Sequence, residues 1–161
     1  KNKKDYEAKF GPDIKAKADY IASIKASGTK TASGLIYQVI QKGSDVKPVD
    51  GSTIYFHYAG YFEDGNLFDS SYEEVNKAYG KLDANRAAQN GYQPFPFVAG
   101  KKEGMIPGFI EALSLIHLGE KMIAIMPSNL CYGERGAGGV IPPNANLVFE
   151  LEIMDKKPET K

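Results

Sequence analysis

The side chains that most often perform acid–base, nucleophilic or metal chemistry are scarce in this sequence. Its 161 residues include two histidines, His57 and His117, and one cysteine, Cys131. These three residues do not form a cluster at metal-ligand spacing. The sequence also lacks a nucleophile elbow, a phosphate loop and a dinucleotide motif. We therefore expect no metal or cofactor, a structural role for both histidines, and a buried, inert thiol.

Aromatic side chains are the remaining candidates for a site. Several lie on predicted strands, on a predicted helix or in loops of one long segment, and they could share an interior: Tyr58, Phe68, Phe95, Phe97, Phe109, Tyr132 and Phe149. Two interpretations are open at this point. Aromatic residues at strand spacing usually form a hydrophobic core, and the alternative is a pocket for an apolar ligand.

Composition limits the classes of function. Hydrophobic residues make up 42% of the chain, and 20 basic residues balance 20 acidic ones. A net charge of zero argues against a nucleic-acid partner, and no apolar run approaches the roughly 18 residues of a membrane span. One cysteine excludes an intrachain disulfide. The start at Lys1 rather than Met is consistent with a processed protein or a piece of a longer one.

Two regions must position any site. Residues 1–32 are rich in Lys and Ala, and their spacing predicts a helix over about 13–26, with Pro12 in its first turn and Thr29–Ser33 as linker. Residues 33–155 predict an α+β domain in which five mostly antiparallel strands surround an amphipathic helix over 104–119, opened by Pro107 and capped by Gly119. The predicted strands are 35–40, 52–62 (followed by an Asp64-Gly65 turn), 94–100, 121–128 and 146–153. Residues 156–161 form a tail.

The segment at about 72–93 interrupts the strand pattern. Ser71 and Glu74 have the spacing of a capping box, which predicts one short helix ending near Gly80. Asp83 could cap a second helix that ends at Asn90-Gly91. We expect two short helices inserted between strands.

Three motifs follow one another in a characteristic order: "FHYAGYFEDGNLFDSS" (56–71), "PFPF" with "GMIPGF" (94–109) and "CYGERGAGGVIPPNANLVFELEI" (131–153). With them the sequence closely resembles the FKBP family, peptidyl-prolyl isomerases that bind macrolides such as tacrolimus and rapamycin. The likeness covers roughly 33–155. It implies a twisted antiparallel half-barrel wrapped around one short helix, with a pocket between them.

The resemblance also implies roles for individual residues. Asp69 would face the twisting carbonyl and orient Tyr58, although an Asp before two serines is also typical of a turn cap. The Ile106 N–H and the Tyr132 hydroxyl would bind polar groups of the peptide. The pocket itself would be lined by Phe68, Phe95, Met105, Phe109, Val140, Ile141 and Phe149, with Pro142-Pro143 fixing the turn that carries Val140 and Ile141.

Two departures from the family leave the function open between two hypotheses. Phe109 stands where many members have Trp, and the 72–93 insertion replaces a short loop at the pocket rim, where it could contact unfolded chains. One hypothesis is an isomerase acting on proline-containing polypeptides, and the other is a binding module, chaperone or scaffold, with negligible turnover. Residues 1–28 could form a dimer or join a further domain. The N-terminal helix and the "SGLIYQVI" strand resemble bacterial envelope members, which weakly favours the periplasm.

Overall fold

A computed structural model describes residues 3–101 and 105–154 of the chain. The described residues include four helices, seven strands and two single 3₁₀ turns. In chain order the elements are α1 (Lys3–Ser27), β1 (Thr29–Lys30), β2 (Ile36–Gln41), β3 (Thr53–Phe62), β4 (Leu67–Ser70), α2 (Glu73–Ala78), α3 (Ala84–Ala88), β5 (Phe95–Val98), α4 (Pro107–Leu115), β6 (Lys121–Met126), the 3₁₀ turns Ser128–Leu130 and Gly133–Arg135, and β7 (Leu147–Ile153). The predicted α+β class is confirmed.

The strands form one open, fully antiparallel sheet. Its order is β1-β2-β6-β7-β3-β4, and β5 also pairs with β3. The two short strands share one edge of β3, since β5 pairs with Thr53–Phe56 and β4 pairs with Ala59–Tyr61. The residues between these two stretches, including Tyr58, therefore lie at the gap between β5 and β4.

Serine side chains fasten β3 across that gap. The Tyr58 N–H donates to the Ser71 hydroxyl at 2.8 Å, and the Ser70 hydroxyl donates to the Tyr58 carbonyl at 2.8 Å. The predicted capping box is therefore wrong, because the Ser71 hydroxyl bonds to β3, and Tyr72 is the N-cap of α2, with no side-chain cap. The second cap is confirmed, since Asp83 accepts from the N–H groups of Asn85 and Arg86.

Both faces of the sheet are covered. On one face α4 contributes Phe109, Ala112 and Leu113 to a buried cluster that includes Phe56, Met122 and Leu151. On the other face α1 places Ile21 and Ile24 against a second cluster. Because β6 is sandwiched between them, all its residues after Lys121 are buried, and the strand reads as a continuous apolar run instead of an alternating one.

Helix α1 is longer than its apolar pattern predicts. It runs from Lys3 and continues through Pro12, so the expectation that Pro12 lies in the first turn is wrong. Proline lacks an amide donor and disfavours a helix interior without forbidding it. The contacts with the sheet are made further along, where Lys17 donates to Glu150 at 2.7 Å and its ammonium lies 4.7 Å from the centre of the Tyr61 ring.

Two further expectations need correction. Thr29–Lys30 is not a linker, because it forms β1 and pairs with Ile36 and Tyr37. Helix α4 ends at Leu115, so Gly119 is not its cap, and Gly104 lies outside the described residues. The chain leaves the helix because the Leu118 N–H donates to the Val46 carbonyl and the Gly119 N–H donates to the Ile153 carbonyl. The 156–161 tail also lies outside the described residues.

The β3–β4 turn packs closely against α1 at Gly65. Gly65 has φ +92°, and a Cβ there would lie 2.0 Å from the Ile14 carbonyl oxygen. Gly51 has φ +89° with nothing within 4 Å of a Cβ, so it is a matched control for backbone strain. We expect Gly65→Ala to lower the free energy of unfolding by about 1–3 kcal/mol more than Gly51→Ala, because only Gly65 meets α1. Urea denaturation measures both, and equal losses would show that α1 does not pack there.

Candidate active site

Three phenylalanine rings from different elements meet between the sheet and α4. The Phe109 ring from α4 lies 5.0 Å from that of Phe149 on β7 and 5.3 Å from that of Phe56 on β3. All three side chains are buried. These distances are those of favourable tilted and edge-to-face aromatic pairs. The rings form an apolar floor at one end of the larger cluster.

Other aromatic side chains stand around this floor. The Tyr58 ring lies 6.2 Å from Phe109 and 5.7 Å from Phe95, and the Phe68 ring lies 5.7 Å from Phe149. Phe95 is 41% exposed, so this side of the ring of aromatics is open to solvent. The structure therefore brings five of the predicted residues, Tyr58, Phe68, Phe95, Phe109 and Phe149, to one place.

Gly60 explains how Phe68 and Phe149 come so close to β3. The pairing of β3 with β4 shifts at Gly60, so that Phe68 is an extra residue in β4. A Cβ on Gly60 would lie 2.6 Å from the tip of the Phe68 ring and 2.9 Å from the Phe149 ring. A missing side chain in the strand thus makes room for two aromatic rings over its backbone.

The predicted pair Val140 and Ile141 is split by the structure. Ile141 is 6% exposed and belongs to the α4-side cluster, whereas Val140 is 59% exposed. The turn closes on itself because Ala137 and Ile141 exchange both backbone hydrogen bonds. Val140 lines a neighbouring groove of about 620 Å³ together with Phe62 and Asn144.

The helix N-terminus has a defined backbone at the site. Ile106 is the N-cap of α4, with extended φ and ψ of −61° and 147°, and Pro107 follows as the first helical residue, as predicted. Met105 and Ile106 are partly buried and pack against the α4-side cluster. Among the described residues the Ile106 N–H donates no backbone hydrogen bond. Tyr132 is 42% exposed and, within the same residues, makes no ring contact with the cluster.

A hydrogen-bonded pair of ionisable groups lies beside the aromatic rings. The Tyr58 hydroxyl donates to one carboxylate oxygen of Asp69. Burial, and then the hydrogen bond to Asp69, raise the pKa of Tyr58 well above its usual range, so the phenol keeps its proton. The other carboxylate oxygen accepts from the Ser70 N–H at 2.8 Å and from the Arg86 guanidinium at 3.3 Å. Asp69 therefore combines the local backbone bond of a turn residue with a contact to Tyr58.

Two of the residues that chemistry alone singled out, Cys131 and His57, are engaged within the fold. Burial raises the pKa of the Cys131 thiol to about 11, so the thiolate needed for nucleophilic attack is suppressed. The His57 Nδ1 contacts the Ser71 hydroxyl at 2.8 Å, and its ring stacks on Tyr72. Burial lowers the pKa of His57.

Sequence reasoning missed three residues near the site. Phe56 and Phe62 share the strand face of Tyr58, and period-two alternation along β3 could have identified both. The Phe62 ring lies 5.1 Å from that of Phe68. Arg86 comes from the insertion, 17 residues after Asp69, and no local pattern marks it as a neighbour of that carboxylate.

Comparisons with known proteins agree with this geometry. The family model for FKBP-type peptidyl-prolyl cis-trans isomerases matches residues 44–154. The isomerase FkpA of Escherichia coli K12 is 37% identical over 138 residues, which is 85% of this chain and 43% of that protein. The 22 kDa FKBP-type isomerase of the same organism is also 37% identical, over 81% of this chain and 54% of its own length. The chain thus spans about half the length of these relatives.

Solved structures give the same result. The crystal structure of FkpA from Escherichia coli superposes with a TM-score of 0.62 and 28% identity, over 96% of this chain and 63% of that one. A peptidyl-prolyl isomerase from Pseudomonas syringae superposes with a TM-score of 0.60 and 27% identity, over 89% of this chain and 92% of that one. No helix in the described part of the chain is long and apolar enough to cross a bilayer. The chain belongs to the family of FKBP-type peptidyl-prolyl cis-trans isomerases.

Proposed function

We propose that this chain accelerates the cis-trans isomerisation of X-Pro bonds in polypeptides by non-covalent catalysis. The observation that carries the proposal is the convergence of Phe109, Phe149 and Tyr58, from three different elements, beside the Tyr58–Asp69 pair. Family membership supports the same activity. The native substrates would be proline-containing, unfolded or partly folded polypeptides.

The reaction suits a site of this composition. Rotation about a peptide bond has a barrier of about 18–20 kcal/mol because twisting removes amide resonance. Water stabilises the planar, polar amide by hydrogen bonding its carbonyl, so a dry aromatic site favours the less polar, twisted form. A turnover in milliseconds needs about 10⁵-fold acceleration, or roughly 7 kcal/mol. Neither a proton transfer nor a covalent intermediate is required.

Each group in the site has a role in this mechanism. The rings of Phe109, Phe149 and Phe95 would hold the proline ring, with Tyr58 as a further wall. The Ile106 N–H and the exposed Tyr132 hydroxyl would bind peptide carbonyls and fix the chain on either side of the twisting bond. The Asp69 carboxylate would face the twisting carbonyl carbon, whose partial positive charge it favours. Because the Tyr58 hydroxyl already donates to Asp69, that pair is oriented before substrate binds.

The second hypothesis, a binding module with little turnover, rests on Phe109. This ring has no N–H and less volume than the Trp that is common in the family, while its packing against Phe56 and Phe149 leaves it only 8% exposed. A slightly poorer fit between the pocket floor and the twisted proline would reduce turnover and retain peptide binding. Macrolide binding, self-association through 1–28 and a place in the bacterial envelope stay predictions. The inward packing of Ile21 and Ile24 leaves only the outer face of α1 available to a partner.

A protease-coupled assay on an X-Pro tetrapeptide separates the two hypotheses. We expect Asp69→Leu and Tyr132→Phe each to lower kcat/KM by about three- to thirtyfold, since each removes a polar contact to the reacting peptide. Asp45→Leu, in an exposed loop, is the control for loss of a carboxylate. Full activity in both site variants would reject these roles, and no detectable turnover by the unmodified protein would favour the binding module.

The missing tryptophan gives a second prediction. Replacing Phe109 with Trp adds ring area and an N–H donor at the floor, so we expect affinity for tacrolimus to rise by about two- to tenfold. Titration calorimetry measures the affinity, and thermal unfolding shows whether the larger ring is accommodated. Weaker binding by a Phe109→Trp protein of unchanged melting temperature would contradict the placement of Phe109 at the pocket floor.

A further inference from the structure

We infer that Arg86 of the inserted helix α3 is a positioning residue for the Asp69–Tyr58 pair, which makes the 72–93 insertion part of the catalytic machinery. This inference rests on the proposed isomerase activity. It gives the insertion a second role beside the contact with unfolded chains expected from its place at the rim.

The two oxygens of the Asp69 carboxylate accept from three groups. One oxygen accepts from the Tyr58 hydroxyl, and the other accepts from the Arg86 guanidinium at 3.3 Å and the Ser70 N–H at 2.8 Å. Bonds on both oxygens restrict rotation of the carboxylate and so favour the orientation in which one oxygen accepts from Tyr58. The positive charge of Arg86 also offsets part of the effect of Asp69, since it lowers the pKa of Tyr58.

Arg86 is itself held by the insertion before it reaches Asp69. The centre of its guanidinium lies 4.3 Å from the centre of the Tyr92 ring, and its Nε donates to the Gly91 carbonyl at 3.1 Å. A Cβ on Gly91 would lie 2.7 Å from the Arg86 side chain, so the glycine allows this close approach. An arginine that stacks and donates at the same time loses little further freedom in a third contact.

The platform under Arg86 is anchored in turn. Tyr92 is only 9% exposed, and its hydroxyl accepts from the Asp83 N–H at 2.9 Å. Asp83 caps α3 by accepting from the Arg86 N–H at 3.1 Å. These contacts link the helix cap, the Tyr92 ring and the guanidinium to one another. They hold Arg86 more firmly than a lone surface ion pair would, and its Nη1 donates to Asp69 beside the aromatic floor.

Lys77, another basic residue of the insertion, allows the role of Arg86 to be separated from that of charge alone. The next basic residue after the F-D-S-S motif is Lys77, which lies on the exposed face of α2. Lys77 and Arg86 therefore carry the same charge in the same insertion, and Arg86 is the one of the two that pairs with Asp69. This makes Lys77→Met a matched control for Arg86→Met, which retains an unbranched apolar stem over Tyr92.

The test is a double-mutant cycle in the X-Pro tetrapeptide assay. We expect Arg86→Met to lower kcat/KM about three- to tenfold, mainly through kcat, and Lys77→Met to leave it unchanged. In an Asp69→Asn background, Arg86→Met should cause no further loss, because its effect passes through that carboxylate. Arg86→Lys, which keeps the charge and the stem, should recover part of the lost kcat.

Several outcomes would overturn the inference. These are full activity of Arg86→Met, a loss that adds undiminished to that of Asp69→Asn, or an Arg86→Lys protein as impaired as Arg86→Met with an unchanged melting temperature. Failure of the proposed function looks different, since the unmodified protein and all variants would then be inactive. An Arg86→Met protein that is unfolded by circular dichroism leaves the decision to Arg86→Lys alone.

Discussion

The packing of the Phe109 ring between Phe56 and Phe149 is the contact on which the rest of the structure depends. It joins α4 to the central strands β3 and β7, with ring separations of 5.3 and 5.0 Å. Because protein interiors are close-packed, this contact sets how far α4 stands from the sheet and thus the depth of the space beside it. The side chains of Tyr58 and Phe68 extend from β3 and β4 to the sides of this space, beside Phe109 and Phe149.

The two faces of the sheet have separate tasks. The α4 face carries the aromatic floor, the Ile106 backbone and the Tyr58–Asp69 pair, whereas α1 covers the opposite face through Ile21 and Ile24. The central strands are therefore buried from both sides and held rigid. A rigid platform suits the proposed isomerisation, in which the protein would hold a strained amide and supply no reactive group.

Much of this arrangement could be predicted from the sequence, and the failures have physical causes. Period-two alternation, the Asp64-Gly65 turn and the Asp83 cap depend on local chemistry, and each appears in the structure. The prediction for Ser71 is wrong because its hydroxyl could accept either from the first turn of α2 or from β3. In the structure it accepts from the Tyr58 N–H of β3. The end of α4 was misplaced because the long-range bonds of Leu118 and Gly119 decide it.

The candidate site follows the same division. The aromatic residues were predictable because the family motifs carry them, whereas the split of Val140 from Ile141 depends on how the turn folds back at Ala137. Arg86 could not be predicted, since its neighbour Asp69 is brought close only by the tertiary placement of the insertion. Local sequence thus determines which aromatic rings can line the site, and the tertiary fold determines which charged side chains lie beside them.

The central claim is that the proline of a substrate lies on the Phe109–Phe149 floor. Nuclear Overhauser effects between a proline-containing peptide and the specifically labelled protein measure this directly. We expect contacts from the proline ring protons to the rings of Phe109, Phe149 and Tyr58. Contacts confined to the neighbouring groove at Phe62 and Asn144, with none to Phe109, would contradict the account.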